Sequence, residues 1–234
     1  MANREQPTAN RQLLTANRFM NISIADLRQE YMLQGLNEAD VDPDPFQQFQ
    51  KWFDRALASE LPIANAMTLA TATKEGKPSA RVVLLKGVDP QLGFVFYTNY
   101  ESQKGQDLAQ NPQAALVFWW AALERQVRIE GTVEKMSVQA SDCYFQSRPS
   151  GSQLSAWVSQ QSQPIQNRDV LEQRLQELVL EYRDRTIPRP PYWGGYALKP
   201  TAIEFWQGRA NRLHDRLRYY QLDNDVWQIE RLAP

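Results

Sequence analysis

The predicted strands of this 234-residue chain follow one another in consecutive runs, without the strand–helix alternation of a parallel sheet. Alternating apolar residues interrupted by turn-forming residues, as at 74–78 and 89–91, indicate antiparallel hairpins. The predicted strands span 67–73, 80–88, 92–98, 114–120, 126–136, 192–198, 202–207, 213–222 and 226–232. Strands in this order favour an antiparallel, Greek-key-like barrel with peripheral helices over a doubly wound sheet. We therefore expect a mainly β (α+β) fold.

Helices are predicted before and between these strands. Asp44 followed by Pro45 is typical of a helix start, because proline is well tolerated at the first helical position. An apolar stripe at helical spacing follows this start, at Phe46, Phe49, Trp52, Phe53 and Leu57. Further helices are predicted near 23–35, over 102–110 and within 137–185.

The chain shows no change of composition that would divide it into two folded domains. Residues 1–20 have no periodicity and are expected to form a flexible arm, whereas 21–234 are expected to form a single domain. The strand predicted at 114–120 is apolar at nearly every position, which predicts burial on both of its faces.

Composition excludes several classes of protein. The formal net charge is −1, so the chain lacks the basic field typical of nucleic-acid-binding proteins. No apolar run approaches the roughly 18 to 20 residues that a membrane span needs. Residues 1–18 lack the apolar centre of a signal peptide, which predicts a cytoplasmic protein. One histidine, one cysteine and scattered carboxylates predict no metal site.

The only histidine lies in a short cationic segment near the C-terminus. Arg212, His214 and Arg216 occupy alternate positions, so in an extended segment their side chains would share one face of a sheet, beside Trp206. Guanidinium groups bind phosphate or carboxylate, and an imidazole can donate, accept or stack. The segment therefore predicts a site for an anionic aromatic ligand, although a solvated edge strand would carry the same charges.

Phosphate-binding groups are also predicted in the first half of the chain. No glycine-rich phosphate loop is present, so side chains would have to hold a bound phosphate. Arg81 and Lys86 lie at the two ends of one predicted strand, and Ser102 and Lys104 lie at the start of a predicted helix, where anions are favoured. Taken one at a time, these residues could equally be solvated strand ends.

Together, these stretches resemble the pyridoxamine 5′-phosphate oxidase family from about residue 27 to the end of the chain. The stretches that carry the resemblance are 81–86, 97–104, 124–127, 147–149, 156–159, 161–162, 193–196, 203–208, 212–216 and 227–234. The resemblance implies an FMN-binding split β-barrel and a homodimer with FMN at the subunit interface. It implies oxidation of pyridoxamine 5′-phosphate or pyridoxine 5′-phosphate to pyridoxal 5′-phosphate, with O2 as acceptor and peroxide as product.

The resemblance also implies roles for individual residues. The implied FMN contacts are Arg81, Val82, Val83, Leu84, Leu85, Lys86, Tyr97, Thr98, Ser102, Lys104, Gln126, Gln161, Ser162, Trp206 and Arg216. The implied substrate contacts are Arg28, Tyr31, Lys86, Tyr144, Arg148, Ser152, Arg212 and His214. Of these, Arg212 and His214 are implied to be catalytic, by orienting the substrate ring and its C4′ carbon.

Two positions depart from the family pattern. Gln103 and Gln29 each stand where the family commonly has an arginine, and the first replacement removes one cation from the expected FMN phosphate site.

The same residues are also compatible with two other functions. These are a split-barrel flavin reductase with a different substrate, and a non-catalytic carrier of pyridoxal phosphate or flavin.

Overall fold

The computed structural model of the protein describes residues 31, 35–59, 61–222 and 226–234. The predicted arm at 1–20, most of the helix predicted near 23–35, Arg28 and Gln29 lie outside the described residues. Residues 31–234 form one compact unit. The boundary of the folded domain at residue 21 stays a prediction.

Nine strands of the described chain form one antiparallel sheet. Their bounds are β1 Ala66–Ala72, β2 Pro78–Leu84, β3 Gly87–Asp89, β4 Gly93–Asn99, β5 Gln113–Trp120, β6 Arg125–Lys135, β7 Trp193–Gln207, β8 Asp215–Gln221 and β9 Trp227–Arg231. The main path runs in the order β2-β1-β5-β6-β7-β4-β3, and β8 and β9 extend from β7. The prediction of a mainly β, antiparallel fold is confirmed.

The sheet curls because its two outermost strands on the main path are consecutive in the chain. Between β2 and β3 lie only Leu85 and Lys86, whose backbone N–H groups bond to opposite edges of the sheet. The amide of Leu85 donates to the carbonyl of Asn65 at 2.9 Å, and the amide of Lys86 donates to the carbonyl of Val95 at 2.8 Å. The two edges are therefore drawn together into a barrel-like half-cylinder. The prediction of one continuous strand at 80–88 is therefore wrong, because β2 ends at Leu84 and β3 begins at Gly87.

The longest strand, β7, has different neighbours along its two halves. Its first half lies between β6 and β4, where Gly195 pairs with Tyr97, and its second half lies between β6 and β8, where Trp206 pairs with Arg216. Pro200 lies at the change, beside a register shift against β6. A proline, which has no N–H to donate, is tolerated at such an irregularity. The two strands predicted at 192–198 and 202–207 are therefore one.

Five α-helices of the described residues lie around the sheet: α1 Pro45–Ala58, α2 Gln103–Gln110, α3 Val138–Ser147, α4 Ser150–Val158 and α5 Asp169–Glu181. As predicted, α1 begins after Asp44, whose side chain accepts a hydrogen bond from the amide of Phe46. Phe49 and Trp52 are buried against the sheet, but Leu57 is 56% exposed, so its predicted place in the apolar stripe is wrong. Among the described residues, no helix is long and apolar enough to cross a membrane.

The strand β5 has one buried and one partly exposed face. Leu116, Phe118 and Trp120 are buried, whereas Trp119 is 49% exposed. In the single chain, the predicted burial of both faces is therefore wrong. The exposed face continues across the sheet, since Trp119 pairs with Gln126, and Gln126 pairs with Trp206.

Candidate functional site: two half-sites at opposite ends of one strand

A cavity of about 860 Å³ lies between β2, β4 and helices α2, α3 and α4. Its volume is within the range of small-molecule and cofactor sites. Arg81, Lys86, Lys104 and Arg148 line it, and none of the described residues lining it is a carboxylate. Four cations, with no carboxylate among the described lining residues, make the cavity suited to ligands that carry negative charge.

Lys104 is the most enclosed of these cations. Its side chain belongs to the first turn of α2, it is only 8% exposed, and its Nζ donates to Gln161 Oε1 at 2.8 Å and to Ser102 Oγ at 3.1 Å. Burial, together with the charge of Arg81, lowers the pKa of Lys104 to about 8. An anion bound between Arg81 and Lys104 would stabilise the protonated lysine and so oppose both causes of the lowered pKa.

Ser102 is the N-cap of α2 and is fully buried. Its Oγ donates to the carbonyl of Asn99 at 2.6 Å and accepts from the amide of Gly105 and from Lys104. Ser102 therefore holds the helix start and the lysine in place but does not line the cavity. The amide of Gln103 donates to Ser162 Oγ at 3.2 Å, which ties the helix start to the 159–162 loop.

Arg148 lies at the other end of the cavity above aromatic rings. Its guanidinium carbon is 4.5 Å from the ring centre of Trp193, and its buried Nη1 has no hydrogen-bond partner among the described residues. The rings of Tyr97 and Tyr144 stack with centres 3.8 Å apart, and Trp193 lies nearly parallel to both. Because a buried donor without an acceptor is costly, Arg148 is suited to receive an oxyanion.

A second cluster surrounds the C-terminal end of β7. The His214 ring centre lies 4.6 Å from that of Trp206 and 5.5 Å from that of Tyr31. His214 Nδ1 accepts a hydrogen bond from the amide of Arg209 at 3.1 Å, so the neutral ring carries its proton on Nε2. Burial and the Arg212 charge lower the pKa of His214. The imidazole therefore offers a neutral Nε2–H donor.

Arg212 and His214 do not lie on a strand. The residues Ala210–Arg212 form a short 3-10 turn, in which Asn211 and Arg212 have φ angles of 54° and 61°. The strand β8 begins only at Asp215. The expectation that Arg212, His214 and Arg216 alternate on one extended strand is therefore wrong. Left-handed backbone at a non-glycine residue costs of order 1 to 3 kcal/mol and is concentrated at functional sites.

Arg216 lies on the partly exposed face of the sheet and is held by a buried acid. Its Nε and Nη2 donate to the two oxygens of Glu204 at 2.8 and 3.1 Å, and its Nη1 donates to the carbonyl of Ala233 at 2.9 Å. Glu204 is 3% exposed, and Arg128 Nη2 lies 3.5 Å from its Oε2. Hydrogen bonding to Glu204 raises the pKa of Arg216. The guanidinium therefore has a fixed orientation beside Trp206.

The predicted contacts thus fall into two groups. Those that line the cavity are Arg81, Val82, Val83, Leu84, Lys86, Tyr97, Thr98, Lys104, Tyr144, Arg148, Ser152, Gln161 and Ser162. Those at or beside the C-terminal end of β7 are Tyr31, Gln126, Trp206, Arg212, His214 and Arg216. Two predicted contacts belong to neither group: Leu85, only 5% exposed, is part of the hydrophobic core, and Ser102 is the buried N-cap of α2.

The two groups are far apart within one chain. Tyr97 pairs with Gly195 near the start of β7, and Trp206 lies eleven positions further along that strand. At about 3.3 Å per residue, this corresponds to roughly 36 Å along the strand. Across the sheet the separation is shorter: Val82, which also lines the cavity, is aligned by register with Glu204 four strands away, which corresponds to roughly 19 Å. Within one chain, the cavity and the C-terminal end of β7 are therefore separate parts of the sheet.

Two residues that shape the site were not predicted. Trp193, which forms an aromatic wall of the cavity, had a signal in the family-like stretch at 193–196 but was assigned no role. Glu204 lies in the family-like stretch at 203–208 but was likewise assigned no role, because an acid at an alternate strand position reads as solvent-exposed.

The enclosed lysine predicts a pH-dependent affinity for a phosphate ligand. A bound phosphate favours protonated Lys104, so between about pH 7 and 8, where the phosphate is a dianion, the affinity changes little, and it decreases as the pH rises above the Lys104 pKa of about 8. We expect the Kd of FMN to increase by up to about tenfold per pH unit above 8. Fluorescence titrations between pH 7 and 9 measure this change. Lys104→Met should abolish the dependence, and riboflavin, which has no phosphate, should not show it in the unsubstituted protein.

Two family models match the chain. The family model described as "Pyridoxamine 5'-phosphate oxidase" matches residues 53–180, and that described as "Pyridoxine 5'-phosphate oxidase C-terminal dimerisation region" matches residues 193–234. A "Pyridoxine/pyridoxamine 5'-phosphate oxidase" of a Cyanothece species is 63% identical over 92% of this chain and all of the relative. The same name is given to a protein of Nostoc punctiforme, 62% identical over the same shares of each chain.

Solved structures show the same fold. The crystal structure of PhzG from Burkholderia lata 383 in complex with tetrahydrophenazine-1-carboxylic acid has a TM-score of 0.81 and 29% identity, covering 88% of this chain and 100% of that one. A pyridoxamine 5'-phosphate oxidase-related, FMN binding protein from Nostoc punctiforme has a TM-score of 0.66 and 19% identity, covering 83% and 100% of the two chains. With the two family models and relatives above 60% identity matched along their whole length, the chain belongs to the pyridoxamine 5′-phosphate oxidase family.

Proposed function

We propose that this protein is an FMN-dependent oxidase, which converts pyridoxamine 5′-phosphate and pyridoxine 5′-phosphate to pyridoxal 5′-phosphate while O2 is reduced to H2O2. The observation that carries the proposal is the cavity with four cations and no carboxylate among its described lining residues. FMN and both substrates carry a phosphate, so one site must accommodate two anionic groups. The names of the relatives above 60% identity support the same reaction.

The residues of the cavity fit FMN at one end and the substrate at the other. Arg81 and Lys104, with the hydroxyl of Ser162, form a donor set for the FMN phosphate. The unpaired Nη1 of Arg148, with Lys86 and the hydroxyls of Tyr144 and Ser152, forms a donor set for the substrate phosphate. Because each anion has separate cations, both can bind at once.

Bound FMN would supply the redox chemistry, by accepting a hydride from the substrate C4′ carbon and passing the electrons to O2. The protein contributes binding and orientation. Arg148 and Lys86 fix the phosphate end of the substrate, while the aromatic rings of the cavity exclude water from one side. A guanidinium group is a poor general acid or base, so the roles of Arg212 are positioning and charge stabilisation. Neutral His214 directs an Nε2–H donor toward a polar group of the substrate ring.

The protein is a homodimer, and we infer that each active site combines the cavity of one chain with the C-terminal end of β7 from the other. The separation of these half-sites along β7 supports this arrangement, and the matched dimerisation region at 193–234 contains Trp206, His214 and Arg216. The partly exposed face with Val82, Leu84 and Trp119 adjoins both half-sites and supplies the apolar contact surface. A cytoplasmic location remains part of the proposal.

Substitution of the orienting residues should lower turnover without loss of the flavin. For Arg212→Ala and His214→Ala we expect kcat/KM for pyridoxamine 5′-phosphate to fall roughly ten- to a hundredfold, because a charge-assisted contact to the substrate is lost. Absorption at the flavin band should be unchanged. Arg209→Ala is the matched control: it removes a neighbouring cation but keeps the backbone amide that bonds to His214. Loss of FMN from both variants would contradict the assignment to the substrate.

The reaction itself is tested on the pure protein with two measurements. A flavin absorption spectrum, native or after addition of FMN, tests the cofactor, and peroxide formed from pyridoxine 5′-phosphate and O2 tests the activity. A protein that cannot be loaded with FMN would overturn the proposal. FMN binding without peroxide would favour a carrier, and turnover that requires a nicotinamide cofactor would favour a reductase.

A further inference from the structure

A buried carboxylate lies just behind the cationic end of the cavity. Asp107 of α2 is 3% exposed and is not among the residues that line the cavity. Its Oδ2 accepts hydrogen bonds from Thr71 Oγ1 at 2.7 Å and Ser79 Oγ at 2.9 Å, and its Oδ1 accepts one from Gln103 Nε2 at 2.8 Å. Burial opposes its ionisation, but these hydrogen bonds lower the pKa of Asp107 below its usual value. The carboxylate is therefore charged.

The two hydroxyls connect Asp107 to Arg81. A hydroxyl has one proton, and both Thr71 and Ser79 donate theirs to Asp107. Their lone pairs are therefore left to accept from Arg81, whose Nη1 donates to Thr71 Oγ1 at 2.7 Å and whose Nη2 donates to Ser79 Oγ at 2.5 Å. Asp107 Oδ2 itself is 3.9 Å from Arg81 Nη2, beyond hydrogen-bond distance. The hydrogen bonds between the acid and the arginine therefore run through the two hydroxyls, while the charges of Asp107 and Arg81 also attract each other directly.

This arrangement leaves part of the guanidinium available for a ligand. Arg81 Nη1 also donates to the carbonyl of Leu69 at 3.2 Å, so both of its N–H groups are used. Among the described residues, Nε and one N–H of Nη2 have no partner. The Arg81 side chain is 20% exposed and faces the cavity that Lys104 shares. Two N–H groups of one planar fork suit two oxygens of a phosphate.

We propose that Asp107 is a positioning residue: through the hydroxyls of Thr71 and Ser79 it fixes Arg81 for the phosphate of FMN, and so sets the preference for FMN over unphosphorylated flavin. The inference rests on the proposed function, since it takes FMN as the ligand of this cavity. An acid so close to an anion site would by charge alone weaken anion binding. By orienting the hydroxyls, and through them Arg81, the same acid strengthens anion binding. Because the charge effect and the orientation effect have opposite signs, substitutions at position 107 can separate them.

Asparagine and leucine at position 107 separate these effects. In Asp107→Asn the amide oxygen can still accept from Thr71 and Ser79, while its NH2 group donates to Gln103 after that side chain rotates, so the orientation of the hydroxyls is kept without the charge. In Asp107→Leu the acceptor is lost, and the hydroxyl protons are free to turn toward Arg81. We therefore expect Asp107→Asn to bind FMN as tightly as the unsubstituted protein or more tightly, and Asp107→Leu to bind it roughly tenfold more weakly.

The test is the ratio of the Kd values of riboflavin and FMN, measured by fluorescence titration of the full-length protein stripped of flavin. Asp107→Leu should lower this ratio roughly tenfold, through FMN alone, because riboflavin has no phosphate for Arg81 to bind. In a protein that already carries Arg81→Met, the additional substitution Asp107→Leu should not change the ratio further. Thr132→Val on β6, which also removes a strand hydroxyl but does not line the cavity, is the control and should leave the ratio unchanged.

An unchanged ratio in Asp107→Leu, or an equal loss of affinity for both flavins, would overturn the inference and leave the proposed oxidase intact. If Asp107→Leu does not fold, the double variant Thr71→Val with Ser79→Ala decides, since it removes both hydroxyls and keeps the acid, and it should lower the ratio to a similar extent. An unsubstituted protein that binds neither flavin would overturn the proposed function and this inference with it.

Discussion

When inactive Arg148→Ala and Arg212→Ala subunits are mixed and allowed to exchange, about a quarter of the wild-type activity should return, because random pairing makes half of the dimers mixed and gives each of these one unaltered site. Arg148 belongs to the cavity and Arg212 to the C-terminal end of β7, and along that strand the two half-sites are far apart. Alone, each variant should keep at most about a tenth of kcat/KM. In a mixed dimer, one site carries both substitutions and the other carries neither.

The matched control combines two substitutions from the same half-site. Arg148→Ala mixed with Lys86→Ala gives dimers in which every site has one altered cavity, so no activity should return. Peroxide formation is followed after subunit exchange, with mixed dimers isolated by two different affinity tags. If the first mixture gains no activity while mixed dimers are present, each site is built within one chain and the proposed arrangement is wrong.

The largest expected effect on stability comes from Phe49 of α1. Its side chain is fully buried and its ring contacts Phe94 of β4, and Phe118 and Trp120 of β5. Replacing a buried phenylalanine by alanine removes apolar contacts and leaves a cavity, so Phe49→Ala should lower the free energy of unfolding by about 3 to 5 kcal/mol. Denaturant unfolding of the FMN-loaded protein at fixed concentration measures the change.

The control for Phe49 lies two turns further along the same helix. Leu57 is 56% exposed, so Leu57→Ala should change the free energy of unfolding by no more than about 0.5 kcal/mol. Equal losses in the two variants would mean that α1 contributes to stability through helix formation and not through packing against the sheet.

Local sequence patterns predicted the elements of the fold better than their connections. Asp44 and Pro45 mark the start of α1 because capping depends on neighbouring residues only. The break at Leu85 and Lys86 has no local signal, since the apolar pattern continues across it while the backbone changes from one sheet edge to the other. The continuity of β7 through Pro200 was missed for the same reason, because the irregularity that accommodates the proline depends on the register of β6.

The candidate site was predictable as a set of residues and not as a geometry. Resemblance to the family assigned Arg148 and His214 to one ligand, but the sequence could not separate them into half-sites, since that depends on the length of β7. The extended conformation expected for 212–216 was wrong because two successive residues, Asn211 and Arg212, adopt left-handed backbone, which no single residue type requires. Asp107 was missed because its hydrogen-bond partners are hydroxyl groups on two strands that are distant from it in the sequence.

The long strand β7 has a consequence for how the protein behaves on dilution. In the proposed arrangement neither end of the strand completes a site alone, so we expect a free subunit to be inactive even when it is fully folded. By mass action, at subunit concentrations below the dimer dissociation constant the activity varies with the square of the subunit concentration. At concentrations above that constant, the activity is proportional to the subunit concentration. We therefore expect the amount of this chain to set a threshold for activity, so that a modest change in its concentration near that threshold would have a disproportionate effect on the supply of product.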